Sequence, residues 1–322
     1  MSEAFTTDLL IVGAGMAGLL AAADLQEKGG NALLVEKSRG VGGRLATRRI
    51  GAAFFDHGAQ FITARTPRWQ ALLSCWQAQG IATVWYRGDE DEHPRWRGLP
   101  TMTAIPKQLA QRLNVRLETK LTCLQEATTG WRAVFEQGEP VFARAVLLTA
   151  PVPQSLAILH AGQVHIEPSL HAQLEAIEYE PCLAVMALLD RASRLPVPGF
   201  LRPQHGNIAW LADNHIKGIS PVPAITLHAT PLFSRTHWEA DRQETGKQLL
   251  EEAAPWLGAA VTEFQVHGWR YARPLKEATQ PCIILREDPP LLLAGDAFGG
   301  ARVEGAALSG WAAAEWLAGQ LK

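Results

Sequence analysis

Residues 8–36, DLLIVGAGMAGLLAAADLQEKGGNALLVE, restrict what this chain can fold into more than any other stretch. Asp8 to Val12 read as a short buried strand, apolar and stopped by glycine. GAGMAG then sets Gly13, Gly15 and Gly18 in the spacing GxGxxG. LLAAADLQEKG offers good helix formers and stops at Gly29-Gly30, as a helix C-terminus does, and NALLVE follows as a second apolar strand. Strand, tight turn, helix and strand within about 30 residues make a βαβ unit of the dinucleotide-binding kind. Gly13 permits the turn, Gly15 lets backbone N–H groups approach a pyrophosphate, and Gly18 lets helix and strand pack closely. The helix N-terminus adds partial positive charge for the phosphates. Glu36 ends the second strand where an acid accepts hydrogen bonds from ribose hydroxyls, and it would repel a ribose 2′-phosphate.

With 28 glycines in 322 residues, about 0.2 chance matches to GxGxxG are expected, so its placement between strand and helix carries the reading. The length suits one large domain or two interleaved ones. A balance of 30 Lys+Arg against 32 Asp+Glu argues against a dedicated nucleic-acid binder. Cys75, Cys123, Cys182 and Cys282 are scattered and the histidines lack HExxH spacing, so neither a disulfide framework nor a metal site is expected. A reducing cytoplasm is the expected location. The apolar run at the start lacks a basic n-region and is broken by glycines, unlike a signal peptide, and no apolar stretch is long enough for a membrane span.

The loop after the second strand points to FAD rather than NAD. EKSRGVGGRLAT (36–47) resembles the segment that follows this strand in the flavin amine oxidase superfamily, roughly E-[KR]-x-x-x-x-G-G-R. The resemblance implies that Arg44 contacts the FAD diphosphate. Gly42 and Gly43 would permit close backbone approach, and Arg44 would offer a bidentate fork. The far end agrees: PPLLLAGDAFGGARVEGAALSGW reads as a strand at Leu291 to Ala294, a Gly295-Asp296 turn, and a helix starting near Val303. By the same resemblance Asp296 meets the ribityl or diphosphate region. The helix start at Val303, Glu304 and Ala306 faces the flavin pyrimidine, where helix N–H groups stabilise the charge of reduced flavin. The resemblance extends the cofactor contacts to Ala14, Met16, Ala17, Lys37, Ala59, Gln60 and Leu121. Gly305, Ala306, Ser309, Gly310 and Ala313 form a small-residue face that suits either a cofactor or close packing.

FFDHGAQFITAR, RWRGLPTMTAI, WLADNHIKG, TLHATPLFS and HGWRYARP together resemble the bacterial renalase-like branch of this superfamily, in consistent order from about residue 6 to 320. That resemblance implies noncovalent FAD and oxidation of isomeric (2- or 6-) dihydro-NAD(P) to NAD(P)+, with oxygen as acceptor and hydrogen peroxide as product. Gln60 and Phe61 would border the flavin, Asn214 and His228 would face the ring from the substrate sheet, and Trp269 would form an aromatic wall. Such chemistry needs positioning more than acid–base catalysis. The alternative is an FAD-dependent amine oxidase. Against it, Arg302 stands where relatives carry a cage aromatic, and Lys276 is the nearest candidate for their water-holding lysine. A third reading is a binding protein that has lost its flavin, like the Rab escort and dissociation-inhibitor proteins; Glu36, Arg44 and Asp296 oppose it.

The expected architecture is a two-domain α/β FAD-dependent oxidoreductase fold. Its Rossmann-like FAD domain takes 1–66, 99–153 and 285–322, and a mixed-sheet substrate domain takes 67–98 and 154–284. VRLETKLTCLQ is expected as paired extended segments, and TGKQLLEEAAPWL as a helix covering the substrate sheet.

Overall fold

The computed structural model describes residues 7–88, 92–276 and 278–321. In chain order the first elements are β1 (Thr7–Val12), α1 (Met16–Glu27), β2 (Ala32–Val35), β3 (Thr47–Ile50), β4 (Ala53–Asp56), α2 (Pro67–Ala78), β5 (Ala82–Arg87) and β6 (Pro94–Gly98). Next come α3 (Ala104–Ala110), β7 (Asn114–Arg116), β8 (Leu121–Ala127), β9 (Gly130–Phe135), β10 (Val141–Leu148), α4 (Val152–Ala161), α5 (Pro168–Glu175) and β11 (Tyr179–Leu189). Then follow β12 (Phe200–Leu201), β13 (Ile208–Asp213), β14 (Ala224–Ala229), α6 (Pro231–Thr236), α7 (Arg242–Leu257) and β15 (Val261–Pro274). The chain closes with β16 (Ile283–Arg286), β17 (Leu291–Leu293), α8 (Asp296–Gly299) and α9 (Val303–Gln320).

These elements form two compact units, one of residues 1–43, 106–178 and 274–322, the other of 44–105 and 179–273. In the first, β17, β10, β1, β2 and β7 lie side by side and parallel. Their near-continuous apolar sequences are what a parallel strand buried on both faces requires. Leu9, Ile11, Leu34, Leu147 and Leu292 share a core with Leu19 and Leu25 of α1 and Leu317 of α9. The α1–α9 crossing is close: a Cβ on Gly310 would lie 2.2 Å from Ala17 O. Gly305 is pinned likewise, 2.0 Å from Gly300 O, and Ser309 Oγ accepts the Gly295 N–H at 2.8 Å. The small-residue face of α9 therefore serves packing at these three positions.

The second unit holds the sheet β12-β13-β14-β11-β15. The period of two sorts its side chains cleanly. Leu211, Leu227, Ile225, Val185 and Leu183 form a core with Leu249, Ala253 and Leu257 of α7. Trp210 and His228 are opposite partners on the other face, with Ala184 beside His228. The β3–β4 hairpin is tied to this sheet through Phe55, Ile50 and Ala53, which pack with Met186 and Ala224.

The units are drawn differently from the expected domains. Residues 44–66 and 99–105 group with the second unit, because the β3–β4 hairpin packs on β11 and β14 and the Met102 N–H bonds Asp56. Residues 154–178 and 274–284 group with the first, because Gly162 abuts Leu124 and β16 pairs with β17. The segments within VRLETKLTCLQ also do not pair with each other: β7 extends the parallel sheet beside β2, and β8 pairs with β9.

Candidate functional site

The parallel strands of the first unit gather their functional residues at their C-terminal ends, the usual ligand edge of an open α/β sheet. Gly13 follows β1 with φ of +106°, a conformation closed to most side chains, and a Cβ there would meet Thr149 Oγ1 at 2.7 Å. Thr149 Oγ1 donates toward Val12 O and Gly13 O, at 2.9 and 3.0 Å, and so locks the turn from the end of β10. A Cβ on Gly18 would fall 2.1 Å from Gly13 O. Gly15 differs: it is the N-cap of α1, no side chain caps that helix, and a Cβ there would meet nothing within 4 Å. The turn is thus closed toward the protein at Gly13 and Gly18 and open at Gly15. Ala14, Met16 and Ala17 are buried around it. A diphosphate fits such a cradle of backbone N–H groups.

Glu36 is buried beside this turn, and both of its carboxylate oxygens already accept backbone N–H groups. Oε2 takes Ala14 at 2.9 Å and Oε1 takes Ser38 at 2.8 Å. Each oxygen keeps a second lone pair, so Glu36 can hold the loop and still receive ribose hydroxyls. The Gly42 N–H donates to Ala14 O at 2.7 Å, and Gly43 lies against Gly15. The exposed Lys37 gives its ammonium to Gln154 Oε1 at 3.0 Å. Leu121, buried, opens β8 at an irregularity in the β8–β9 register. Asp296 and Glu304 are buried at the starts of α8 and α9. Val303 and Ala306 occupy the first turn of α9, whose N-cap is the exposed Arg302, and no side chain caps this helix either.

Arg44, Ala59, Gln60, Phe61, Asn214, His228 and Trp269 belong to the second unit. There Arg44 Nη1 donates to Tyr271 O and Ala272 O at 3.3 and 3.2 Å. Its own carbonyl accepts the Ala59 N–H at 2.8 Å. Asn214 is fully engaged. Its Oδ1 accepts the Asp56 N–H at 3.3 Å, and Nδ2 donates to Thr226 Oγ1 at 2.9 Å and Ala224 O at 3.4 Å. It is a fastener between β4, β13 and β14.

The centre of this unit is a pair that sequence reasoning passed over. Asp56 and Lys217 are both fully buried, with Nζ 3.4 Å from Asp56 Oδ2 and donating to Gln60 O at 2.6 Å. Trp85 lies under the ammonium, 4.6 Å from ring centroid to Nζ. Asp56 Oδ1 accepts from Thr47 Oγ1 at 2.6 Å and from the Met102 N–H at 3.1 Å. Burial pushes the Lys217 pKa down while Asp56 holds it up, and the half-buried Arg97 is a second cation near enough to feel the Asp56 charge. The buried lysine of this unit is thus Lys217; Lys276 is exposed.

Around this pair the carbonyl of His57 accepts two donors, His228 Nε2 and Trp269 Nε1, both at 3.0 Å. His57 also meets His267 and Trp269 as ring neighbours, at 5.0 and 5.2 Å. Burial, aided by the His267 and Arg48 charges, pushes His57 down to about 3, and burial pushes His228 down to about 4. Both imidazoles are neutral at ordinary pH. The His228 bond fixes its proton on Nε2, since a carbonyl can only accept. Gln60 Nε2 donates to Asp56 O at 2.6 Å and Gly58 O at 3.2 Å, which leaves Gln60 Oε1 buried without a partner; His57 Nδ1 is likewise unpartnered. Asp56, His57 and Lys217 lie in FFDHGAQ and NHIKG, two stretches the resemblance had marked, but no local spacing joins them. Thr149 was missed for the same reason.

Comparison with known proteins agrees with the fold. Residues 69–317 match the flavin containing amine oxidoreductase family, and residues 11–76 match the NAD(P)-binding Rossmann-like domain. AofH of Mycobacterium tuberculosis, named as a flavin-containing monoamine oxidase, is 37% identical over 94 residues, which are 29% of this chain and 20% of AofH. A protein of Exiguobacterium sp. 255-15 described as a protoporphyrinogen oxidase has a similar fold, with a TM-score of 0.74 at 14% identity over 98% of this chain and 99% of its own. Cyclohexylamine oxidase of Brevibacterium oxydans gives 0.69 at 14% identity, over 98% and 99% of the two chains. At that identity the structures establish the fold. With the family match spanning most of its length, the chain belongs to the flavin-containing amine oxidoreductase family, whose cofactor is FAD.

Proposed function

We propose that this protein is a renalase-like oxidase that takes hydride from 2- or 6-dihydro-NAD(P), yielding NAD(P)+ and, with oxygen, hydrogen peroxide. FAD, when bound, supplies the two-electron acceptor. In this reading the turn at Gly13–Gly18 holds its diphosphate, Glu36 holds its ribose, and the second unit receives the substrate. The observation that carries the proposal is the charge of the second unit's polar centre. Its carboxylate Asp56 is buried and already paired with Lys217, and Arg97 adds a second cation that feels the same charge. His57 and His228 are held neutral. A protonated amine would find cations there instead of a counter-ion, and Arg302 adds no aromatic face for one. A reduced nicotinamide needs neither a base nor a counter-ion, because it gains aromaticity on losing hydride; it needs orientation. In this reading Gln60, His228 and Trp269, each bonded to the 56–60 loop, supply it. His228 and Trp269 act through the carbonyl of His57, and Asn214 holds β4 beneath them.

Amine oxidation is the second reading, favoured by the family's name and by the match to AofH. Product analysis separates the two. Under air, one NAD+ and one hydrogen peroxide should form per 6-dihydro-NAD consumed, with no aldehyde formed from putrescine and no cyclohexanone from cyclohexylamine. Either carbonyl product, with dihydronicotinamides untouched, would overturn the proposal in favour of the second reading.

A further inference from the structure

Gln60 is held through its side chain and its main chain at once. Its Nε2 donates to Asp56 O at 2.6 Å and Gly58 O at 3.2 Å, and Lys217 Nζ donates to its carbonyl at 2.6 Å. Lys217 is in turn paired with Asp56 Oδ2, and Asn214 Oδ1 accepts the Asp56 N–H. Backbone carbonyls only accept, so the two Nε2 bonds also settle which end of the amide is which. The nitrogen faces the loop, and the free atom is the oxygen. That oxygen is buried, on a residue only 7% exposed, and has no partner among the described residues. His57 Nδ1, Tyr86 Oη, Trp96 Nε1 and Trp210 Nε1 share that condition. The hydroxyl and the two indoles can donate, whereas Gln60 Oε1 can only accept. A buried acceptor left without a donor is costly, so one held this rigidly points to a donor that arrives with a ligand. Charge narrows the donor. The ammonium on the Gln60 carbonyl, with Arg97 near Asp56, disfavours a cation and leaves a neutral N–H or O–H.

We infer that Gln60 Oε1 accepts an N–H of the substrate's carboxamide and so sets which way round the reduced ring lies. This rests on the dihydronicotinamide reading given above, in which the carboxamide is the group on the reacting ring that carries neutral N–H donors. It stands on ring carbon 3, beside position 2 and across the ring from position 6. Anchoring it therefore fixes which of those carbons is presented for hydride loss. Lys217 and Asp56 act through Gln60: they hold its main chain while Nε2 holds the side chain, so the acceptor is set before the substrate arrives.

The test compares three dinucleotides on the FAD-loaded protein held without oxygen. They are 6-dihydro-NAD, its thiocarboxamide analogue, which keeps both N–H groups, and its 3-acetyl analogue, a methyl ketone that has none. The concentration dependence of flavin bleaching gives a dissociation constant for each, separate from the hydride-transfer rate that the ring substituent itself alters. In the wild type the carboxamide and thiocarboxamide should bind alike, and the ketone about tenfold more weakly. In Gln60→Met all three should bind alike, at the level of the ketone. Equal constants for carboxamide and ketone in the wild type would overturn the inference whether or not the variant folds, and would leave the function standing. So would an amide preference that survives in Gln60→Met, because another group would then hold the amide. A large fall in FAD affinity in Gln60→Met, with the melting temperature of the apoprotein unchanged, would give the oxygen to the cofactor and overturn the inference too. No bleaching by any dihydronicotinamide would overturn the function and the inference with it.

Discussion

The glycine turn of the first unit and the Asp56–Lys217 centre of the second are built from opposite materials. The turn is made of main chain: Gly13, Gly15 and Gly18 act by lacking a Cβ, and Glu36 and Thr149 act by bonding backbone atoms. The centre is made of side chains drawn from β4, the loop after it, β14, β15 and the turn before Ser220. A backbone site tolerates almost any neighbours so long as the spacing of its glycines is kept. A side-chain site tolerates almost any spacing but few substitutions, because each buried polar group depends on the next.

The sharpest contrast should come from Lys217→Met. It leaves Asp56 buried without its ammonium partner, and the second unit should lose about 3–5 kcal/mol in urea unfolding. The double variant Lys217→Met/Asp56→Asn should recover part of that loss. If the single variant unfolds like wild type, the centre does not hold the 56–60 loop together.

At the turn, fold and cofactor binding should separate. Gly15→Ala adds a methyl that meets no protein atom, so melting of the apoprotein should hardly change, while FAD affinity falls by about a hundredfold as the backbone N–H groups lose close approach. Gly18→Ala, whose Cβ would sit 2.1 Å from Gly13 O, should instead destabilise the apoprotein itself. Equal behaviour of the two variants would contradict the assignment of Gly15 to the ligand side.

A smaller effect concerns acid. His57 and His228 have folded pKa values of about 3 and about 4, below the ordinary 6.5. Between those values and 6.5 the unfolded chain binds more protons. Their contribution is therefore fully present above pH 6.5 and is lost as pH falls toward 4 and then 3. By pH 5 the loss should be on the order of 2 kcal/mol per histidine, read as a falling denaturation midpoint. His228→Gln should flatten the slope; an unchanged slope would mean that His228 is not buried neutral.

The same contrast explains what was legible in the sequence. Strand β1, the turn, α1 with its end before Gly29, and the start of α9 at Val303 were readable because each depends on neighbours in sequence. The β3–β4 hairpin was not: its sequence follows the cofactor loop, but its packing partners Met186 and Ala224 lie far along the chain. Lys217 escaped notice because a lysine after NHI looks like a surface turn, and only folding brings it to Asp56. Asn214 and His228 were picked by resemblance as ring-facing groups. The structure adds the fastening bonds of Asn214 and the tautomer of His228, neither of which spacing could give.

What reduces the flavin decides between the two substrates. The protein, loaded with FAD and held without oxygen, is mixed in separate shots with 6-dihydro-NAD, 2-dihydro-NAD, ordinary NADH and putrescine, and the visible flavin band is followed. Rapid bleaching by an isomeric dihydronicotinamide is expected, with slow or no bleaching by NADH and the amine. Rapid bleaching by putrescine alone would contradict the proposed function.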